Sequence, residues 1–190
     1  MSILDIFATV VSGATFNIIP KMYFSFPAKL IEYLNTYKIN TIYWVPSALS
    51  IVVNLKTLDF LLPEYLHTIL FAGEVMPTKQ LNIWMEKLPN ALYANLYGPT
   101  EITDTCTYYI VNRPFSDNES LPIGIPFDNC DVLIITDDNE EALQDEVGEL
   151  CVRGAFLGMG YYNNSEKQKK YLFKILLIKV IQKLYIKLVI

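Results

Sequence analysis

Apolar and polar positions along residues 14–97 recur with two periods, and the switches between them predict a βαβα succession. Residues 14–19 read as a strand ending at Pro20. Residues 27–37 have helical spacing, with Leu30, Ile31 and Leu34 on one face. Residues 41–45, β-branched and aromatic, predict a buried strand, and Pro46 then opens a helix at its favoured first turn. Residues 67–72 form the next strand. Residues 77–87 follow as a helix with Leu81, Trp84 and Met85 inward, and residues 92–97 as another strand. Such alternation predicts an α/β chain, a mostly parallel sheet with flanking helices. Past Thr103 the pattern becomes β-rich, with strands predicted over 106–111, 130–135 and 149–152. Asp137-Asp138-Asn139 reads as a hairpin turn, and a metal role for those acids is the weaker reading.

Composition adds limits. The 190 residues suffice for one domain with a real core, and a 52% hydrophobic content is unlike that of a disordered chain. Cys106, Cys130 and Cys151 are widely spaced, which argues against a zinc site and against a disulfide framework. The lone His67 excludes a histidine-based triad. No basic, apolar leader opens the chain, so a reducing cytoplasm is the expected compartment.

Charge separates the chain into two parts. Residues 165–190 carry seven lysines against one acid, a charge of +6 within a net −5, which leaves −11 on the first 164 residues. All eight glycines and ten prolines also precede residue 165. The break predicts a boundary there, with a basic apolar tail beyond it.

The most informative run is Asn95-Leu96-Tyr97-Gly98-Pro99-Thr100-Glu101, leaving the end of a predicted strand. Gly98 lets the backbone turn sharply and approach a ligand, and Pro99 stiffens the turn. Thr100 offers a hydroxyl to phosphate, Glu101 offers the hard oxygen that Mg²⁺ prefers, and Tyr97 supplies a ring for stacking. Turn chemistry alone would also permit this run. Its position counts for more, since ligands of such sheets sit beyond the carboxyl ends of strands. Ala72-Gly73-Glu74 occupies the same kind of position after residues 67–71.

These runs resemble motifs of the adenylate-forming superfamily of acyl-CoA synthetases, amino-acid adenylation domains and luciferases. Tyr97 to Glu101 is similar to the family's Tyr-Gly-Pro-Thr-Glu, and Ala72-Gly73-Glu74 to its Gly-Gly-Glu. Leu121-Pro122-Ile123-Gly124-Ile125-Pro126 resembles its Ser-Ile-Gly-Lys-Pro. Gly148-Glu149-Leu150, Gly154 and Gly158-Met159-Gly160-Tyr161-Tyr162 resemble its Gly-Glu-Leu…Gly…Gly-Tyr segment. The resemblance implies part of the large N-terminal domain of such an enzyme over residues 1–164. It also implies a two-step reaction: a carboxylate attacks ATP to give an acyl-adenylate and pyrophosphate, and a CoA or carrier-protein phosphopantetheine thiol then displaces AMP.

Carried onto this chain, the family's roles put adenine against Gly73, Glu74, Asn95, Tyr97, Gly98 and Pro99. They put phosphate on Thr100 and Mg²⁺ on Glu101, with Thr100 and Glu101 also serving the chemistry. ATP and Mg²⁺ are the implied cofactors, and no nucleic-acid partner is expected. The run Phe71 to Pro77 and its spacing to Asn95 look most like D-alanine–carrier protein ligases and related amino-acid adenylation domains. Asp104 stands near the substrate position, where that subfamily has a small apolar residue, and this puts D-alanine itself in doubt.

Other family segments have no counterpart. The glycine- and threonine-rich phosphate loop, the substrate-pairing Asp just before Met1, the ribose-binding Thr-Gly-Asp and the small C-terminal domain with its lysine are all missing. The tail offers a cause. Assumed codons ATA TAT AAA ACT GGT GAT TTA for the family's Ile-Tyr-Lys-Thr-Gly-Asp-Leu, read one base later, spell Tyr185 to Ile190. A frameshifted tail is therefore the first expectation. The competing view is a basic amphipathic helix on an anionic membrane, with Lys170, Lys174, Lys179, Lys183 and Lys187 recurring every four or five residues. No run of about eighteen uncharged residues exists, so a spanning helix is not expected. Three readings follow: a piece of an AMP-forming ligase, a catalytically dead remnant that binds nucleotide, or an unrelated nucleotide-binding or membrane-surface module.

Overall fold

In a computed structural model, the chain is described over residues 2–138, 140–167, 172–175 and 183–188. It divides into two units, Met1–Tyr97 with Tyr108–Gly124, and Gly98–Thr107 with Ile125–Ile190.

The first unit carries α1 (Ser2–Ser12), α2 (Pro27–Thr36), β1 (Thr41–Trp44), α3 (Pro46–Asn54), β2 (Thr68–Phe71), α4 (Thr78–Lys87), β3 (Leu92–Tyr97) and most of β4 (Thr107–Val111). The strands follow one another in the order β1-β2-β3-β4. β1, β2 and β3 run parallel, with Trp44 opposite Phe71 and Phe71 opposite Asn95. The expected mixed α/β architecture is thus present, with each parallel crossover made by a helix.

Local chemistry accounts for the helix limits. Pro27 and Pro46 sit in the first turns of α2 and α3, where the missing N–H leaves no bond unmade. Lys38 and Lys56, at φ of 50° and 54°, take left-handed turns just beyond α2 and α3 and stop them. Leu30, Ile31 and Leu34 are buried, as their spacing predicts, along with Leu49, Val52, Leu81 and Trp84. Trp84 donates its indole N–H to the Leu49 carbonyl at 3.1 Å, and Tyr93 donates to the Trp84 carbonyl at 2.7 Å. Two large aromatic rings are therefore buried with their polar tips satisfied.

Two expectations for this unit need correction. Residues 14–19 are not a strand. They run without ladder partners beside a cleft of about 800 Å³ that Phe16 and Ile18 line together with Tyr43 and Trp44 of β1. β-prone residues make a strand only where a neighbouring backbone meets them. Here Tyr33 instead ties the segment down by donating to the Ile18 carbonyl at 3.2 Å. α1 was not foreseen, and it leaves Phe7, Val10 and Val11 exposed.

The second unit is β-rich, as expected. It holds β5 (Ile125–Pro126), β6 (Cys130–Ile135), β7 (Glu149–Gly154), β8 (Leu172–Ile175) and β9 (Lys183–Leu188). One sheet has the order β6-β7-β9-β8, and all its pairs are antiparallel. Asp137 and Asp138 form the expected turn, closed by Thr136 donating to the Glu140 carbonyl at 2.9 Å; Asn139 lies outside the described residues. Among the described residues, no group of three potential metal-binding side chains occurs.

Beyond a helical turn at residues 165–167, the described parts of the tail, residues 172–175 and 183–188, are strand. Lys174, Lys183 and Lys187 lie in β8 and β9, so the amphipathic-helix alternative does not hold for them; Lys170 and Lys179 lie outside the described residues. Strand geometry prevails because β9 finds a partner in β7, with Leu150 opposite Leu188 and Arg153 opposite Tyr185. Among the described residues, no helix is long and apolar enough to cross a membrane.

All three cysteines are buried and none is in a disulfide. Burial, then the neighbouring Cys130, pushes the Cys106 thiol up to about 12, and burial raises Cys130 and Cys151 as well. The thiolate is the reactive form, so a disulfide reagent at pH 8 is expected to leave the folded chain unlabelled. Denaturation should then release all three equivalents. Rapid labelling of the native chain would contradict this burial. The sign for stability follows from the raised values. The Cys106 contribution is complete below its ordinary 9.0 and is lost as pH climbs toward about 12.

Candidate functional site

The parallel register of β1, β2 and β3 brings their carboxyl ends to one edge of the first unit, so the segments after Trp44, Phe71 and Tyr97 leave from the same side. Gly73 and Glu74 stand there, both exposed. Gly73 has φ of +88°, a left-handed turn that favours glycine and lets the chain double back at the strand end.

Glu74 has a partner the sequence did not reveal. Its Oε2 accepts from the Ser47 backbone N–H at 2.9 Å, and its Oε1 accepts from the Ser47 hydroxyl at 3.1 Å. Ser47 lies in the first turn of α3, whose N-cap Val45 has no side chain to satisfy the open N–H groups. Glu74 therefore caps that helix from 27 residues away, and a carboxylate there also suits the helix dipole.

Asn95 is half-buried in β3 and donates its side-chain N–H to the Pro122 carbonyl at 2.9 Å. The bond ties the strand end to the segment that resembles the family's Ser-Ile-Gly-Lys-Pro. Tyr97 is half-buried and ends β3.

In the second unit the chain turns at once. A Cβ on Gly98 would lie 2.5 Å from the Asp104 carbonyl oxygen and 2.5 Å from the Thr105 Cα, so only glycine fits there. Pro99 accepts from the Ile102 N–H at 3.2 Å, which closes a tight turn around Thr100 and Glu101. Thr100 is exposed at the tip, and Glu101 is half-buried. Asp104, at φ of +69°, turns the chain back beneath Gly98, and its carbonyl rather than its carboxylate meets the glycine.

A strand-like clamp holds the far side of this loop. Gly158 donates to the Glu101 carbonyl at 2.8 Å, Ile102 pairs with Leu157, and Thr103 donates both its N–H at 2.9 Å and its hydroxyl at 3.0 Å to the Phe156 carbonyl. The Tyr161 hydroxyl donates to Glu101 Oε1.

The two units thus each present part of the expected set, Gly73, Glu74, Asn95 and Tyr97 in the first and Gly98, Pro99, Thr100, Glu101 and Asp104 in the second. Sequence reasoning missed Ser47, which fixes Glu74, and Tyr161, which meets Glu101. Tyr161 lies inside a run already matched to the family, but nothing in that run signals its partner.

A single carboxylate with one oxygen engaged is too little to hold a metal by itself. It suits Mg²⁺, which keeps water and substrate phosphates and takes only one or two protein carboxylates. In that sense the residues present fit the ion.

Comparison with known proteins finds similar sequences and a similar fold. D-alanine--D-alanyl carrier protein ligase of Bacillus cytotoxicus is 32% identical over 172 residues, 90% of this chain and 34% of the relative. L-proline--[L-prolyl-carrier protein] ligase of Streptomyces coelicolor is 35% identical over 175 residues, 88% of this chain and 32% of the relative. The crystal structure of the Vibrio cholerae adenylation domain AlmE with glycyl-adenosine-5'-phosphate superposes with a TM-score of 0.80 at 25% identity. That superposition covers 98% of this chain and 34% of the other. The chain therefore spans about a third of the length of the proteins it matches. The family described as AMP-binding enzyme matches residues 1–162, most of the 190, and the chain belongs to that family.

Proposed function

We propose that this chain is the nucleotide-gripping segment of an ATP-dependent, AMP-forming ligase. Such a ligase activates a carboxylate as an acyl-adenylate and passes it to a thiol. The observation that carries the reading is the Gly98–Thr103 loop, where a glycine that admits no Cβ and a tight turn hold an exposed threonine beside a clamped glutamate. Tyr97 offers a face for adenine, Asn95 and Gly73 shape the strand ends, Thr100 meets phosphate, and Glu101 takes the metal. Mg²⁺, when bound with the nucleotide, neutralises charge developing on the phosphate.

Glu74 fixes the start of α3 at the carboxyl edge of the first unit's sheet. The names of the relatives support an amino acid as the carboxylate and a carrier protein as the acceptor, and the family resemblance implies a phosphopantetheine thiol on it. D-alanine is the first candidate, with Asp104 the residue that departs from it. A cytoplasmic setting fits the buried thiols, none of them in a disulfide.

Titration of the purified chain with ATP, with and without Mg²⁺, tests the grip. Binding with a Kd of about 1 mM (~4 kcal/mol) or tighter is expected. It should strengthen with Mg²⁺ and lose that gain in Glu101→Gln. Pyrophosphate exchange with a panel of amino acids tests the catalytic half. None is expected from the chain alone, because phosphate loop, ribose-binding Asp and lysine lie outside it. Absence of any adenine-nucleotide binding would refute the reading. The frameshift proposal for residues 165–190 is decided separately, by looking for Thr-Gly-Asp codons in the neighbouring frame.

A further inference from the structure

Glu101 is held by more than its own turn. Its main chain is gripped where Gly158 donates to its carbonyl, and the flanking Ile102 and Thr103 are gripped by Leu157 and Phe156. Three residues beyond that ladder, the Tyr161 hydroxyl meets Glu101 Oε1. Tyr161 is in turn fixed on its ring face, since the Lys167 ammonium lies 4.3 Å from the ring centroid. Lys167 is placed by a short helical turn that Asn164 caps, its Oδ1 accepting the Lys167 N–H at 3.0 Å. Asn163, at φ of 50°, supplies the left-handed bend leading into that turn. Every link lies in the second unit, and the chain of contacts ends on one carboxylate oxygen.

We propose that Tyr161 is the positioning residue of Glu101. Its hydroxyl fixes Oε1 and so reserves Oε2 for a divalent cation held jointly with nucleotide phosphates. A lone exposed glutamate samples many rotamers, and ordering it would cost part of the gain on metal binding. With the backbone clamped and one oxygen engaged, that cost is met on folding. Outer partners of metal-binding carboxylates typically control metal affinity in this way. The inference rests on the reading of Glu101 as the acid that takes Mg²⁺.

The test uses the full chain and a fluorescent ATP analogue, titrated in Mg²⁺ and in EDTA. Wild type, Tyr161→Phe, Glu101→Gln and the double variant are compared, with thermal unfolding recorded for each. Wild type and Tyr161→Phe are expected to bind nucleotide alike in EDTA, and the Mg²⁺ enhancement of each protein is taken relative to its own affinity in EDTA. The Mg²⁺ enhancement should fall about tenfold in Tyr161→Phe, the scale for an outer partner of a metal ligand. It should vanish in Glu101→Gln, and the double variant should match Glu101→Gln because Tyr161 acts through that residue. Tyr161→His, which keeps a ring and an N–H donor, should recover part of the enhancement, and it decides the matter if Tyr161→Phe unfolds.

An unchanged enhancement in the phenylalanine and histidine variants would overturn the proposal. A stronger one would overturn it too, since the hydroxyl would then compete with the cation. Failure of the underlying reading looks different: wild type itself would bind nucleotide equally with and without Mg²⁺, which refutes the metal role of Glu101 and the positioning role together.

Discussion

Gly98→Ala is expected to weaken Mg²⁺–ATP binding by about tenfold or more while leaving the first unit folded. The reason is space rather than conformational preference. An added methyl would meet the Asp104 carbonyl oxygen and the Thr105 Cα at 2.5 Å each, and the Ile102 Cδ1 at 3.0 Å. The isoleucine end could swing away, but the other two atoms are backbone. The loop would have to open, and overpacking of this kind costs about 1–3 kcal/mol. The Pro99–Ile102 turn and the Gly158–Glu101 bond share that loop, so the displacement falls on Thr100 and Glu101. At 1.4 kcal/mol per factor of ten, even the lower half of that range approaches a tenfold loss. Nucleotide titration reads the affinity, and far-UV circular dichroism reads the fold. Wild-type affinity in Gly98→Ala would mean that the loop does not touch the nucleotide.

Trp84→Ala is expected to be the most damaging single change to stability. Trp84 is 0% exposed at the centre of the first unit's core. Truncating a buried aromatic to alanine costs about 3–5 kcal/mol in lost burial and residual cavity. The Leu49 carbonyl keeps its bond within α3 but would lose its indole partner, a further loss of about 0.5–1.5 kcal/mol. Against a total of about 5–15 kcal/mol for a typical domain, the change should leave the unit barely folded. Trp84→Phe separates the two contributions, because it keeps most of the apolar volume and removes only the hydrogen bond. Urea unfolding of the three proteins should therefore rank them wild type, phenylalanine, alanine. An alanine variant within 1 kcal/mol of wild type would show that this core repacks freely.

Much of the first unit was legible because short-range patterns decide it. Leu30, Ile31 and Leu34 mark a buried helical face by spacing alone, and Pro46 marks a helix start by chemistry that no tertiary contact can reverse. Residues 14–19 misled for the complementary reason. Alternating Thr15, Phe16, Asn17 and Ile18 looks like a strand, but a strand is a relation between two backbones, and here no neighbouring backbone pairs with the segment. The competing helix reading of the tail fails similarly at Lys174, Lys183 and Lys187: their spacing suits a helix, yet β7 offers β9 a ladder that sequence spacing cannot announce.

The candidate residues were legible by type and position, whereas their supports were not. Ser47 lies 27 residues from Glu74, and Tyr161 lies 60 from Glu101. Nothing local in either pair betrays the contact. A motif names the groups that meet a ligand, while long-range folding chooses the groups that aim them.

The order in which the chain visits its two units has a practical consequence. It leaves the first unit after Tyr97, returns at Tyr108, and leaves again after Gly124. The returning stretch is bonded into what precedes it: Asn82 exchanges two hydrogen bonds with Phe115, Thr78 donates to the Ser116 carbonyl, and Asn95 donates to that of Pro122. A protein cut short at Tyr97 would strand the side chains of Thr78, Asn82 and Asn95 and would remove Val111 and Phe115 from the core they complete. The smallest autonomous piece must run through Gly124, carrying the Gly98–Thr107 excursion along as a passenger loop.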